Sequence, residues 1–425
     1  MSEKPVPPRP RRLADWINPT GAKKVHSLID KVYKRKNLEM AWDRVQANRG
    51  SGGVDGQSLE AFGQQVGSEL NRLQAELKEE AYQPQPVRQV QIPKAGKPGE
   101  YRTLGIPTIY DRVCQQAMLN RLEPIFELVF DEANFGYRRG RSTKDALRKV
   151  WKEIQGGREW IVDADLKDFF DHLDHGWMMK FVQHRVADPR ILRLIQKWLK
   201  AGVMEGGEWL ETEMGTPQGA VISPLLANVY LHYVFDLWVE VWRKKCAQGD
   251  VIVIRYADDN VLGFQHRTDA DRFLEDFRER LGKFGLELHP DKTRRIEFGR
   301  YAEQRRKRRG EGKPETFDFL GFTHISGTNR KGYFTVKRQS SGKRMRAKLQ
   351  QIKQQLRSRM HQPVAETGKW LKSVVQGYFN YHAVPGNLDR LGIFRERVTR
   401  LWRRTLLGRS QIHRLPWTRM HTLAA

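Results

Sequence analysis

Hydrophobic positions recur every three or four residues between 26 and 48, at Leu28, Val32, Leu38, Ala41, Trp42 and Val45. That spacing predicts a helical stretch with one apolar face. RGSGGVDG at 49–56 interrupts it as a glycine-rich loop, and a second helix is expected over roughly 57–80. Over 85–107 the pattern changes to two strands around a Gly/Pro turn, with Lys94 and Arg102 flanking the turn. Helical spacing returns from Asp111 to Phe130. The segment EWIVDADL, 159–166, alternates: Val162, Ala164 and Leu166 share one face, Ile161, Asp163 and Asp165 the other. GTPQGAVISPLL, from 215, predicts a loop, Ser223 as N-cap, Pro224 at the first helical position and a long apolar helix to 242. A hairpin follows over 251–264, in which VIVI and VLGF flank Asp258 and Asp259, and then a helix over 268–285.

Two acids side by side at a hairpin tip need a reason. Asp and Asn are ordinary turn residues, because their short side chains bond nearby backbone. Adjacent carboxylates nevertheless repel unless positive charge lies between them. Hard carboxylate oxygens suit Mg²⁺, which takes one or two protein carboxylates plus substrate phosphates. On the hairpin alone, a plain turn and a cation site both stand.

Composition narrows the choice. A chain of 425 residues suits two or three domains. Its formal net charge of +26 calls for an anionic partner, and a polyphosphate is the natural one. A hydrophobic fraction of 39% with 12 Trp belongs to a folded protein rather than a disordered basic tail. Cys114 and Cys246 make no disulfide framework or zinc set, which fits a reducing cytosol. No apolar run has membrane length, and the polar, Pro/Arg-rich start lacks a secretion signal, so a cytoplasmic protein with no membrane partner is expected. Residues 1–25 read as a flexible basic leader. Residues 330–425 hold 22 Lys/Arg against 3 Asp/Glu, with Trp370, Tyr378, Phe379, Tyr381, Phe394 and Trp402 among them. A solvated helical face could carry those cations, but aromatics among cations favour nucleic acid. A domain boundary is expected between 325 and 345.

Nucleotidyl transfer needs carboxylates from separate strands converging on one point, so that paired metal ions can stabilise attacking and leaving oxygens. Asp163 and Asp165 on one strand, with Asp258 and Asp259 at the hairpin tip, offer that set. In this context the chain resembles the reverse transcriptases encoded by group II introns, often called maturases. The matching stretches run in order from about 38 to 400: NLEMAWDRVQANRGSGGVDG, IPKAGKPGEYRTLGIPTIYDRVCQQA, FGYRRGRST, IVDADLKDFFD, GTPQGAVISPLLANVYL, RYADD, GLELHPDKT, FDFLGF and GYFNYH.

The resemblance implies an α+β right-hand polymerase, with fingers and an antiparallel palm over 26–330 and a basic helical thumb or maturase domain over 331–425. Within the first part, 26–80 resembles the family's N-terminal extension and 85–107 its fingertip hairpin. It implies Asp165, Asp258 and Asp259 as catalytic, binding two Mg²⁺ (or Mn²⁺) with the Leu166 carbonyl, and Asp163 as second choice to Asp165. It implies Phe170 as a steric gate against ribose, although a core aromatic fits the pattern equally. Lys94 and Arg102 resemble the fingertip residues that hold the triphosphate, Gln218 and Gly219 the loop touching nucleotide and template, and Lys292 the lysine that protonates pyrophosphate. An exposed basic hairpin, a tight turn and a solvated helix-exit lysine remain the plain alternatives. FDFLGF, 317–322, resembles the primer-grip hairpin, or is an ordinary buried strand. RNA contacts are expected from Arg305, Arg306, Lys307, Arg308 and Arg309, read as a loop, and from Lys343, Arg344, Arg403 and Arg404.

The implied partners are an RNA template, a DNA or RNA primer, dNTPs, parent intron RNA and target DNA. Two cysteines exclude a zinc-stabilised endonuclease of the kind many intron proteins carry, so no DNA cleavage is expected. Competing readings are a maturase acting only as an RNA-binding splicing factor, a host-adopted relative serving defence or diversity generation, and an RNA-templated RNA polymerase.

Overall fold

Asn37, fully buried, donates to the carbonyls of Val32 and Ala117 and pins a break in the first apolar stretch. That stretch is therefore two helices, α1 (Ile29–Val32) and α2 (Arg35–Ala47). The second expected helix is also divided. Ser58 caps α3 (Leu59–Gln64) by accepting the Ala61 amide, and α4 (Val66–Glu79) buries Leu70, Leu73 and Leu77. This computed structural model describes residues 23–93, 99–205, 208–210, 214–216, 219–409 and 414–424. Most of the expected leader lies outside the described residues. Its last residue, Val25, is buried and bridges in parallel to Val186.

β1 (Val87–Pro93) and β2 (Tyr101–Ile106) form the expected antiparallel hairpin, in register from Arg88↔Ile106 to Pro93↔Tyr101. α5 (Ile109–Glu127) starts at Thr108, which accepts the Asp111 amide, and α6 (Thr143–Gln155) starts with a Ser142–Asp145 capping box. β3 (Trp160–Asp165) is followed by a 3₁₀ turn at Phe169–Asp171, then α7 (His175–Gln183) and α8 (Pro189–Leu199). β4 (Val203–Glu205) and β5 (Glu208–Leu210) extend the fingertip sheet in the order β2-β1-β4-β5.

α9 (Ser223–Leu231) begins one residue earlier than expected, with Ile222 at the cap position. The Ser223 hydroxyl hydrogen-bonds Thr216 Oγ1 at 2.7 Å, tying the loop to the helix start. The long apolar helix is not continuous: a π turn at His232–Asp236 separates α9 from α10 (Leu237–Lys245).

β6 (Val251–Tyr256) and β7 (Asp259–Phe264) form the acid-tipped hairpin, and α11 (Arg267–Gly282) and β8 (Arg294–Glu297) follow. The palm sheet has the order β6-β7-β3-β8, antiparallel throughout. Alternation along its strands feeds two cores. Val162, Ala164, Leu166, Leu262 and Phe264 pack with the N-terminal helices and α7–α10. Ile161, Ile254, Val261 and Ile296 pack against α6 and against β9 (Phe317–Phe319), β10 (Phe322–Thr328) and β11 (Phe334–Ser340). Between β8 and β9 lies α12 (Ala302–Arg308), where the sequence suggested a loop.

A third core is wholly helical: α13 (Gly342–Ser358), α14 (Val364–His382), α15 (Leu388–Leu407) and α16 (Trp417–Ala424) bury Leu349, Ile352, Phe394, Val398 and Trp402 among themselves. Phe394 stacks on Tyr378 with ring centroids 3.6 Å apart.

His324 on β10 is fully buried and stacks on Phe317 at 4.6 Å. Burial, with Arg338 alongside, pushes it from 6.5 down to about 3. The unfolded chain therefore takes up a proton as pH falls below 6.5 that the folded chain refuses until about 3. Stability from this group is complete above the unfolded value and is lost on the acid side. The loss at about pH 5 should be near 2 kcal/mol. In urea melts at pH 7 and pH 5, His324→Phe should narrow the stability difference by that amount. An unchanged difference would contradict the assignment.

Candidate active site

β3 ends at Asp165 and β7 begins at Asp259, and the two residues are direct partners in the ladder. Opposed residues in an antiparallel pair have Cα atoms roughly 4.5–5.5 Å apart. Acids distant along the chain are thus neighbours in space. Asp258 sits in the two-residue turn between β6 and β7, after Ala257, whose φ of +58° is left-handed. Asp163 lies two residues back on the Asp165 face and pairs across the sheet with Val261 and Arg294.

The turn is held from beneath by Arg255, whose side chain is wholly buried. Its Nε and Nη2 donate to the two carboxylate oxygens of Asp236, at 2.7 and 2.5 Å. Its Nη1 donates to Asn228 Oδ1 at 3.0 Å and to the Ala257 carbonyl at 3.1 Å. Burial alone would raise Asp236, but Arg255, helped by His232, outweighs it and holds the carboxyl below its ordinary range. The Phe135 amide donates to the Arg255 carbonyl, the Arg255 amide donates to the Ala133 carbonyl, and Asn228 Nδ2 donates to the Gly136 carbonyl. A Cβ on Gly136 would lie 2.2 Å from the Ala257 nitrogen, so only glycine fits against the turn. Sequence reasoning quoted FGYRRGRST without assigning this role. The signal available was a glycine beside aromatics.

The tip is electrostatically unbalanced. Burial first, then the Asp165 charge, pushes Asp258 up. Burial, with Asp258 and Asp165, raises Asp259 to about 7, while Arg344 and Lys292 oppose the shift. Burial also raises Asp163 to about 7, against Arg294, whose Nη2 is 3.9 Å away. Lys292 Nζ donates to Asp165 Oδ2 at 2.6 Å. Among the described residues, no three His, Cys or acidic groups form a ready metal cage. The set suits a hard cation that draws other ligands from water and phosphate, and Asp165 is at present turned to Lys292. Leu166 bridges Leu288, its neighbours making the ladder bonds Lys167 N to Glu287 O and His289 N to Asp165 O. The Leu166 carbonyl therefore points to the opposite edge, where β7 lies.

Phe170 is half-buried on the 3₁₀ turn, edge-on to Phe169 at 5.3 Å, and its carbonyl accepts the Thr216 amide. Gly219, at φ +116°, packs against Leu104 and the Gly105 carbonyl of β2, which brings its loop to the fingertip sheet. Arg102 is exposed on β2. Lys94 and Gln218 lie outside the described residues. Tyr137, not foreseen, has φ +53°. Burial first, and then Asp258, pushes its hydroxyl up, with Arg102 opposing, so fingertip cation and acid tip share one neighbourhood.

The expected RNA contacts divide. Arg305 pairs with Glu159 and Glu297, Arg309 with Glu297 and Glu311, and Arg306 with Glu311. Arg305 and Arg306 are half-buried in these pairs, while Lys307, Arg308 and the paired Arg309 are exposed. Arg403 donates to the Leu415 carbonyl and covers the Trp417 ring at 4.7 Å, so it too serves structure. Lys343, Arg344 and Arg404 are exposed. Tyr381 donates to the Leu320 carbonyl at 3.0 Å, which joins GYFNYH on α14 to the β9–β10 turn of FDFLGF.

A palm of antiparallel strands with opposed acids at its edge, fingertip hairpin above and helical array beside, is a right-hand polymerase. Residues 92–324 match the model of the reverse transcriptase (RNA-dependent DNA polymerase) family, and the chain belongs to that family. It is 34% identical to Protein YkfC of Escherichia coli over 322 residues, covering 67% of this chain and 83% of that one. It is 36% identical to the group II intron-encoded protein LtrA of Lactococcus lactis over 195 residues, covering 45% of this chain and 32% of that one. A 91 kDa protein in the cob intron of Schizosaccharomyces pombe is 31% identical over 281 residues, 64% of this chain and 34% of that protein. The relatives place the chain with the intron-encoded reverse transcriptases and maturases. Among the described residues no helix is long and apolar enough to cross a membrane.

Removing Arg255 would leave the buried Asp236 without its guanidinium partner, with only His232 nearby. Arg255→Ala should cost about 3–5 kcal/mol in chemical denaturation. Arg255→Met with Asp236→Leu should recover most of that, yet turn amides near 257–259 should exchange hydrogen faster than in the wild type. Equal exchange in both proteins would remove Arg255 as the holder of the turn.

Proposed function

We propose that the protein copies RNA into DNA at the β6–β7 tip and binds intron RNA to assist splicing and mobility. The observation that carries the reading is Asp165 directly opposite Asp259, with Asp258 one residue away. Asp165, Asp258 and Asp259, with the Leu166 carbonyl, would hold two divalent cations, Mg²⁺ first and Mn²⁺ as a substitute. When bound, such a pair lowers the barrier by stabilising both the attacking and the leaving oxygen.

The chain's own groups do the rest. Lys292 Nζ, now on Asp165 Oδ2, is placed to give a proton to departing pyrophosphate. Arg102, with Lys94, offsets charge on the triphosphate. Phe170 is fixed by the Thr216 amide, and its ring would clash with a ribose 2′-hydroxyl. Gly219 packs against β2, and Gln218 beside it in sequence would contact the nucleotide and template. Lys307, Arg308, Lys343, Arg344 and Arg404 supply exposed charge for RNA phosphates.

Asp258→Asn should lower dNTP incorporation on an oligo(dT)-primed poly(rA) template by at least about a thousandfold, near 4 kcal/mol of barrier. Substantial residual activity, or a wild type inert with Mg²⁺ and Mn²⁺ alike, would defeat the polymerase reading.

Phe170→Ala should raise ribonucleotide incorporation relative to deoxynucleotide by roughly tenfold or more, about 1.4 kcal/mol of discrimination. Unchanged discrimination would make Phe170 a packing residue only.

A further inference from the structure

A cavity of ≈ 320 Å³ opens between the start of α12 and the far end of the β10–β11 hairpin. Gly299, Arg300, Glu303, Ser326, Gly332 and Tyr333 are among its walls. It lies away from the chemistry. Glu297 pairs with Trp160 at the start of β3, while Asp165 ends that strand. Five residues of strand separate the two ends by roughly 17 Å, and residues 299–300 continue past Trp160.

The cavity is built rather than left over. Asn329 Oδ1 accepts the amides of Lys331 and Tyr333, and the Asn329 amide donates to the Tyr333 carbonyl, which fixes the tip. The Gly299 amide donates to Ser326 Oγ at 3.2 Å, locking the opposite wall to β10. Gly332, at φ +81°, faces open space, and Gly299, at φ +98°, packs against Glu159. Tyr333 is 70% exposed, the most exposed aromatic ring among the described residues' large hydrophobics. Arg300, Arg330 and Lys331 are exposed around it, and Lys307 follows Glu303 by one helical turn on the same face of α12. Glu303 is the one acid on the wall.

An exposed ring among cations, beside an open cavity, fits an unpaired base with its phosphates. We propose that this pocket, at the far end of the palm strands from the acids, binds single-stranded RNA: one base stacks on Tyr333 while Arg300, Arg330 and Lys331 hold the flanking phosphates. The proposal rests on the reading of the chain as an RNA-binding polymerase, and it assigns RNA a second contact outside the polymerase cleft. It also replaces Arg305 and Arg306, which are half-buried in ion pairs, as the RNA-facing groups of this region.

The test uses the full chain with its cleft filled by an unlabelled RNA–DNA primer–template duplex. A short fluorescein-labelled single-stranded oligoribonucleotide is then titrated and read by anisotropy, and primer extension is measured on the same preparations. The oligoribonucleotide should bind the filled enzyme. Tyr333→Ala and Arg300→Glu should each weaken it roughly tenfold, Tyr333→Phe should retain affinity, and extension rates should stay within about twofold of wild type. No binding once the cleft is filled, or affinity indifferent to both substitutions, overturns the proposal. Extension falling in step with binding also overturns it, since the surface would then carry the product duplex. A wild type that binds the oligoribonucleotide but never extends a primer would sink the polymerase reading and leave this pocket standing.

Discussion

The Arg255–Asp236 pair is the constraint on which the active-site geometry depends. A charge with no contact to water is costly to hold, and only a full set of partners makes it tolerable. Arg255 has that set: two bonds to Asp236, one to Asn228 and one to the Ala257 carbonyl. The last bond matters most for chemistry, because the Ala257 carbonyl belongs to the peptide that leads into Asp258. A planar guanidinium fixed at three corners leaves the fourth contact little freedom. The left-handed Ala257, which no β-branched residue would tolerate comfortably, is held by that contact and by Gly136 pressed against its nitrogen. The π turn that supplies Asp236 belongs to the same device, since it interrupts α9–α10 where the buried carboxylate is needed.

What the clamp holds is an unfavourable cluster. Burial and mutual repulsion raise Asp258 and Asp259 above ordinary carboxylate behaviour, and Asp163 shares the penalty. The nearby cations do not cancel it. Lys292 bonds Asp165 directly and, like Arg344 at the start of α13, reaches Asp259 only through the field. A site prepared in this way gains most from divalent charge brought by the ligand itself, together with a triphosphate. The energy stored in repulsion at the tip is supported by two apolar cores on either face of the sheet, which keep β3 and β7 in register.

Much of this was legible in residue order. Alternation in EWIVDADL put Asp163 and Asp165 on the face they occupy, and branched residues on both sides of Asp258-Asp259 gave the hairpin. Tertiary partners decided what was not legible. Asn37 breaks the first helix because its amide finds Val32 and Ala117, the latter 80 residues on. Ser223 looked like a cap, but its hydroxyl serves Thr216 instead of the helix amides. The π turn has no local signature in HYVFD. Its reason is Arg255, 19 residues beyond Asp236. RRKRR suggested free charge because two of its acids, Glu159 and Glu297, are remote in sequence or hidden in a strand, although Glu311 lies close by.

That last case bears on how a strongly basic chain should be read. Net charge counts cations without asking whether they are spent. Arg305 and Arg309 pair with Glu297 on the palm, Arg306 with Glu311 just after α12, and Arg403 fastens α15 to the segment before α16. Such groups release few counterions on meeting a phosphate, since carboxylates or carbonyls already occupy their donors. The attraction for nucleic acid must then come from cations left exposed, which sit at both ends of the palm. Arg344 stands by the acid tip, where Tyr381 ties the helical array to the FDFLGF turn. Arg300, Arg330 and Lys331 stand at the far end around Tyr333. The exposed charge is thus divided between the two ends of the palm strands, roughly 17 Å apart, rather than gathered at the acid tip alone.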